Sequence, residues 1–215
     1  MACKKKHLPS HPFCEVKPPK LPKNKQPKAI EKEAIQKMLK KTRNPRDRAI
    51  LLFFRDTACR ADEALQLKWG DLKLNDGTTE TLGKGDRARS LFFKATTRRA
   101  LEKYRQTLKL SGHDDPVWPG EDGPLTYDGL YKIFRRLAIA ANVEGDFSPH
   151  SWRHAFGRDA TLAGMPTAGL QQIMGHENMS TTQIYTTFKI AELQQLHDEY
   201  SPVDGDSTNG SDMVK

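Results

Sequence analysis

The segment "RDRAILLFFRDTA" contains the longest apolar run in the chain, Ala49 to Phe54. Six consecutive apolar residues give a helix no polar face, so this helix is read as buried. The run is far shorter than the roughly 20 apolar residues that a membrane span needs. At the start, "MACKKKHLPSHPF" carries positive charge with no apolar stretch after it, so no signal peptide is read. Three cysteines, Cys3, Cys14 and Cys59, imply no disulfide framework. The expectation is a soluble, cytoplasmic protein. Its 215 residues suffice for one compact domain plus tails, or for two small ones.

Around that helix the apolar residues recur mostly with helical spacing. "AIEKEAIQKMLKKT" puts Ile30, Ala34, Ile35, Met38 and Leu39 on one face. Asn44-Pro45 then breaks the pattern and starts the buried helix, with Pro45 in its first turn. "RADEALQLKWGDL" reads as a third helix ending near Gly70. The period then changes: "LKLNDGTTETL" and "RSLFF" read as short strands, with turns at Asp76-Gly77 and "GKGDR". "TTRRALEKYRQTLKL" returns to helix, with a threonine as N-cap. After the loop "SGHDDPVWPGEDGP" comes the helix "TYDGLYKIFRRLAIAANV". "SPHSWRHAFGRDATLAG" is a helix capped by Ser148, opened by Pro149 and closed by Gly164. Short helices follow in "MPTAGLQQIMG" and "STTQIYTTF", and a last one in "IAELQQLHDEY". The fold class is mainly α with a small antiparallel β-sheet (α+β). Residues 29–201 form the folded domain, between a Pro/Lys-rich arm at 1–28 and a disordered tail at 202–215.

The charge is uneven. Residues 1–60 carry 17 Lys/Arg against 5 Asp/Glu, and residues 61–215 carry 18 against 22. Within the second part, Lys84 to Lys109 holds 9 basic and 2 acidic residues. This asymmetry suggests a polyanion contacted by the N-terminal segment and the middle of the chain. The arm also holds Cys3, His7, His11 and Cys14. Four soft ligands at that spacing could bind zinc; the competing reading is a basic arm without fixed structure.

"PHSWRHAF" concentrates two histidines and an arginine. His150 and Arg153 are three apart and share a helix face. His150 and His154 have the spacing of a zinc-binding pair, but no glutamate stands between them, and Arg153 would repel a cation. His154, beside Trp152 and Phe156, is read as facing the core. Arg153 and His150 together suit an anion, because both are planar donor groups and one is permanently charged.

"ACRADEALQLKWGDL", "GKGDRARSLFF", "VWPGEDGPLTYDGLYKIFRR" and "PHSWRHAF…GLQQIMGHENMSTTQIYTTF" together resemble the catalytic domain of the tyrosine recombinases, the phage integrase family. The resemblance runs from about Leu21 to Ser201 in one consistent order, and H-x-x-R-H, then G-H, then Y is its specific part. It implies that Arg60 and Arg153 clamp a scissile phosphate and that Tyr185 attacks it to form a 3′-phosphotyrosyl link. It implies that His150 assists this step, that His176 hydrogen-bonds a phosphate oxygen, and that Lys84 protonates the leaving 5′-oxygen. Glu63 resembles an acidic residue that orients the surroundings of Arg60. Arg87, Arg89, Arg98, Arg99 and Lys103 are read as DNA phosphate contacts.

No metal and no other cofactor is implied, because the covalent link stores the phosphodiester energy. The expected partner is double-stranded DNA. The expected assembly is a tetramer on paired DNA sites and a monomer without DNA, joined through the C-terminal helix 189–200 with Leu193 and Leu196 as its buried side. The expected reaction is site-specific recombination, for integration, excision or inversion of a DNA element. Two alternatives stand beside it: a type IB topoisomerase, and a DNA-binding protein with degenerate chemistry. The chain departs from the family in having about 28 residues where most members carry a core-binding domain. Both a separated catalytic domain and a naturally short enzyme fit that. Ala58 and Cys59 replace a usual Gly and apolar residue, and Trp152 a usual Leu.

Overall fold

The computed structural model describes residues 29–82, 88–109, 111–175 and 189–205. In chain order the elements are α1 (Lys32–Lys41), α2 (Pro45–Thr57), α3 (Ala61–Leu65), a 3-10 turn (Trp69–Asp71), β1 (Leu72–Lys73), β2 (Thr78–Leu82), β3 (Ala88–Phe92), α4 (Ala95–Arg105), α5 (Tyr127–Ala140), α6 (Pro149–Leu162), α7 (Thr167–Met174), α8 (Ile190–Tyr200) and α9 (Pro202–Gly205). This is the expected mainly helical body with one small sheet. The sheet is antiparallel in the order β1-β2-β3, with Thr79 opposite Leu91 and Thr81 opposite Arg89.

Helix α2 sits at the centre, and α4, α6, α9 and β3 pack against it. Asn44 caps it by accepting from the Arg46 amide at 2.9 Å, and Pro45 fills its first position. Every residue from Ala49 to Thr57 is buried. Phe54 meets Phe134 edge-on at 5.3 Å, Phe134 packs on Trp152 at 5.2 Å, and Tyr104 stacks on Trp118 at 5.6 Å. A second, smaller apolar cluster joins Ala58, Phe92, Phe156, Ala160, Met165, Ile173 and Met174 beneath α7 and α8.

Because Asp47 and the stretch from Ala49 to Thr57 are buried, the charged residues there must find partners inside the protein. Arg55 reaches Asp159 at 2.7 Å, and Asp47 reaches Arg136 at 2.7 Å. Asp159 also accepts from Arg158 at 2.8 Å. Arg158 donates in turn to the Ile30 carbonyl at 2.9 Å and to Glu31 at 3.1 Å. These bonds fix the entry of the described chain against α6.

Asp56 is the busiest of these groups. One carboxylate oxygen accepts from the Lys94 amide and from the Thr97 hydroxyl, both at 2.7 Å. The other accepts from Ser201 and faces His197 Nε2 at 3.2 Å. This explains a departure from the expected local rule. No threonine caps α4; Lys94 is the N-cap residue, and Asp56 of α2 satisfies the helix start from outside.

Two further departures have tertiary causes. The third helix stops at Leu65 instead of running to Gly70, because the next residues pair with the loop before Pro119. Val117 donates to the Leu67 carbonyl at 2.8 Å and Trp69 to that of Asp115 at 3.0 Å. The tail expected to be disordered from residue 202 instead starts with α9, whose Val203 is buried against the body. Helix α8 packs on α7 and β3 of its own chain, and its buried residue is His197, with Leu193 partly covered by the second cluster.

His197 is fully covered. Burial opposes its charge, but the Asp56 carboxylate and hydrogen bonds overcome that and raise its pKa from 6.5 to about 9. Burial likewise opposes the Asp56 charge, and His197, Ser201 and Thr97 together hold the carboxyl below its ordinary value. A raised histidine stabilises fully below pH 6.5 and loses that contribution as pH rises through about 9. The lowered aspartate stabilises above pH 3.8 and loses its contribution as pH falls further. Thermal unfolding between pH 6 and 10 should therefore show stability falling on the alkaline side. In His197→Gln that dependence should flatten, and the variant should be about 3 kcal/mol less stable at neutral pH.

Candidate active site

The site is built where α3, α6, α7 and β3 meet. At the start of α3, the Glu63 carboxylate reaches back to its own N-cap residue. It accepts from the Arg60 amide at 2.6 Å and from Arg60 Nη1 at 3.0 Å. Glu63 thus makes one half of a capping box; the other half is missing, because the arginine side chain at the cap has no acceptor for the Glu63 amide.

Helix α6 starts as expected. Ser148 accepts from the Ser151 amide, and Pro149 opens the first turn. This leaves His150 exposed one residue into the helix and Arg153 facing inward. Arg153 is only 6% exposed. Its Nη1 donates to the Ala58 carbonyl at 2.7 Å, and its Nη2 donates to the Met174 carbonyl. His154 does not face the core as expected: it is half-buried and meets the His150 ring edge-on, centroids 4.2 Å apart. The i, i+4 spacing puts both rings on one face of the helix.

Helix α7 ends on Gly175 in the left-handed region, φ +63°. The carbonyls at a helix end lack partners within the helix and carry the negative end of its dipole. Here they draw in arginines. Arg60 Nη2 donates to the Gly175 carbonyl at 2.9 Å, while Arg153 and Arg89 both donate to the Met174 carbonyl. Arg89 also meets Glu63 at 3.2 Å. Residues far apart in sequence are thus locked into one polar cluster.

The sequence reading puts Arg89 on DNA at the surface. Its side chain is 9% exposed and its bonds run to Glu63 and Met174, so the structure places it inside this cluster. Sequence spacing gave no sign of that. The only signal was alternation along β3, which sets Arg89 and Leu91 on the same face. Arg60, at 36% exposed, is the guanidinium most open to a ligand among the clustered arginines.

Burial first, then the charges of Arg89 and Arg60, lower the Arg153 pKa to about 10, so it stays a cation at neutral pH. Burial also lowers the Arg89 pKa, opposed by Glu63. Burial raises the Cys59 thiol to about 12, which keeps it protonated and inert beside the cluster.

The other expected DNA contacts divide between two grooves. Arg99 and Lys103 line one with Arg48, Pro45 and Leu52, between α2 and α4. Arg98 lines another with Asp76, Lys94, Gln194 and Asp198, and pairs with Glu102 at 3.9 Å. Arg48 was not expected from sequence.

Lys84, Arg87, His176 and Tyr185 lie outside the described residues, as do Cys3, His7, His11 and Cys14. Lys84 and Arg87 fall between β2 and β3, and His176 follows Gly175 directly. Among the described residues no three His, Cys, Asp or Glu are grouped so as to hold a metal. No helix among them is long and apolar enough to cross a membrane.

Known proteins resemble this chain in sequence and in fold. The phage integrase family model matches residues 28–191. Tyrosine recombinase XerD of Listeria monocytogenes serotype 4b (strain F2365) is 31% identical over 202 residues, which cover 89% of this chain and 68% of that protein. The integrase from mycobacterium phage Brujita superimposes with a TM-score of 0.68 at 23% identity, over 90% of this chain and 64% of that one. The XerH site-specific recombinase, solved bound to its difH substrate, gives a TM-score of 0.61 at 26% identity, over 82% of this chain and 55% of that one. The chain belongs to the phage integrase family, the tyrosine recombinases, and with it to the class of site-specific DNA recombinase enzymes. Its body is the family's catalytic-domain fold.

The backbone at Ala58 has a measurable cost. It is left-handed, φ 50° and ψ 28°. A Cβ in that region costs about 1 kcal/mol. Ala58→Gly should therefore raise the unfolding midpoint by roughly 2–4 °C in a thermal melt, without moving the Arg153 bond to the residue 58 carbonyl.

Proposed function

We propose that this chain cleaves and rejoins DNA strands at a specific site through a 3′-phosphotyrosyl intermediate on Tyr185. The observation that carries the reading is the shared anchoring of Arg60 and Arg153. Each donates to one of the successive carbonyls of Met174 and Gly175, immediately before His176. Two guanidinium groups fixed by protein bonds, with donor hydrogens still unused, form a preorganised clamp for an anion.

In the reaction, Tyr185 Oη attacks the phosphorus and the P–O5′ bond breaks. Lys84 gives a proton to the leaving 5′-oxygen, and His150 assists removal of the tyrosine proton. Arg60, Arg153 and His176 stabilise the charge that grows on the phosphate oxygens. Glu63 holds Arg60 in place. A 5′-hydroxyl from another strand then reverses the step, restores the phosphodiester and frees Tyr185. The XerH complex with its difH substrate supports DNA as the partner.

Arg87, Arg98, Arg99 and Lys103 contact phosphates outside the cleavage point. The residue 1–28 segment, with eight lysines and one acidic residue, adds further contacts. Assembly is a tetramer on paired sites through 189–200. Ile190, 62% exposed on α8, is an apolar residue available to a neighbour.

A duplex nicked near the cleavage position, taken from the DNA flanking the protein's own gene, tests the chemistry. The wild-type chain should form an SDS-stable adduct, and Tyr185→Phe should form none while binding DNA equally. Arg153→Ala should also abolish the adduct. It strands the Ala58 carbonyl, however, and leaves the Met174 carbonyl with Arg89 alone, at a cost of about 1–3 kcal/mol, so its fold must be checked by melting. Plasmid relaxation without exchange between duplexes would select the topoisomerase alternative, and DNA binding without any adduct the degenerate one.

The arm is tested by deleting residues 1–20. Affinity for DNA should fall, and the slope of log K against log salt should flatten by about 0.9 for each phosphate that the arm no longer neutralises. An unchanged slope would remove the arm from the interface.

A further inference from the structure

We propose that Arg89 is a positioning residue of the active site, which sets the placement of Arg60 and Arg153 by holding the Glu63 carboxylate and the end of α7 that both arginines use. The inference rests on the proposed roles of Arg60 and Arg153 as the phosphate clamp.

A buried guanidinium loses its hydration and persists only where protein groups replace the water. Arg89 has two such groups. Its Nη2 lies 3.2 Å from Glu63 Oε2, and its Nη1 donates to the Met174 carbonyl. Both partners are shared. The same Glu63 oxygen accepts from the Arg60 amide at 2.6 Å, and the other accepts from Arg60 Nη1 at 3.0 Å. The Met174 carbonyl takes Arg153 as well, which uses both of its lone pairs. Arg89 therefore touches, through one intermediate group each, the two side chains that bind phosphate.

The backbone is shaped around this side chain. A Cβ added at Gly175 would lie 2.6 Å from Arg89 Nη1 and 2.7 Å from its Cδ, and the residue sits at φ +63°. Arg89 thus occupies the space that the glycine leaves. It also ties together two stretches that lead to other site residues. Arg89 belongs to β3, shortly after Lys84 in the sequence, and Met174 and Gly175 lead directly into His176. If Arg89 is removed, Glu63 keeps its charge but has only Arg60 to neutralise it, and the Met174 carbonyl has only Arg153. Both clamp residues then settle closer to protein acceptors and away from the phosphate.

A residue acting this way should change the rate at saturating DNA more than it changes affinity. A surface phosphate contact should do the reverse. The test uses the full chain, Arg89→Met and Arg89→Lys, with three readouts: Tyr185 adduct formation at saturating nicked duplex, DNA affinity with its salt slope, and thermal melting to confirm folding at the assay temperature. Arg89→Met should slow adduct formation roughly 10- to 100-fold, with affinity within about threefold and the salt slope unchanged. Arg89→Lys, which keeps the charge but cannot bridge both partners, should fall between it and wild type. If Arg89→Met does not fold, the Arg89→Lys rate decides alone. A salt slope shallower by about 0.9, the share of one phosphate, at an unchanged saturated rate would return Arg89 to the DNA surface and overturn the proposal. Equal adduct rates in all three proteins would overturn it too, while leaving the phosphotyrosyl reading intact. A wild-type chain that forms no adduct would instead overturn that reading, and this inference with it.

Discussion

Two backbone carbonyls, those of Met174 and Gly175, hold the centre of this protein together. Arginines from α6 and β3 and from the start of α3 converge on them, and a single carboxylate, Glu63, balances part of the charge. Three like charges in a largely covered space repel one another, so the arrangement exists only because the helix end supplies acceptors of the right sign. The left-handed turn at Gly175 presents both carbonyls to the cluster. The placement of α7 against α6 and β3, and hence the second apolar cluster, follows from the same requirement.

The other organising element is α2. Its apolar run makes it central, and being central forces a partner on each of its charges. Asp56 shows how far this reaches: it caps α4, binds Ser201 at the start of α9 and pairs with His197 of α8. The last helices are thereby attached to the same end of α2 that supplies the Ala58 carbonyl to Arg153. Packing and chemistry meet in the same few residues.

What was legible in the sequence was mostly local. Asn44-Pro45 and Ser148-Pro149 begin helices because their side chains and ring geometry act within three residues. The run H-x-x-R-H, then G-H, then Y carried the specific part of the family resemblance, and the fold brings Arg60, Glu63 and Arg153 together. The signals that failed depended on distant partners. The α4 cap comes from Asp56, 38 residues before Lys94. The third helix is cut short by the loop that holds Asp115 and Val117. Arg89 looked like a surface cation because its partner Met174 lies 85 positions away. His154 has a simpler cause: being beside aromatic residues in sequence does not decide which face of a helix a side chain takes.

Arg158 carries one more consequence. It grips Ile30 and Glu31 while bonding Asp159, which in turn holds Arg55 of α2. The point where the described chain enters the body is therefore welded to the same helix that presents His150 and Arg153. Tension on the preceding segment would not be absorbed by a slack connector. It would act as a lever on that helix, and strain applied at the edge of the molecule would arrive, along the helix, at His150 and Arg153.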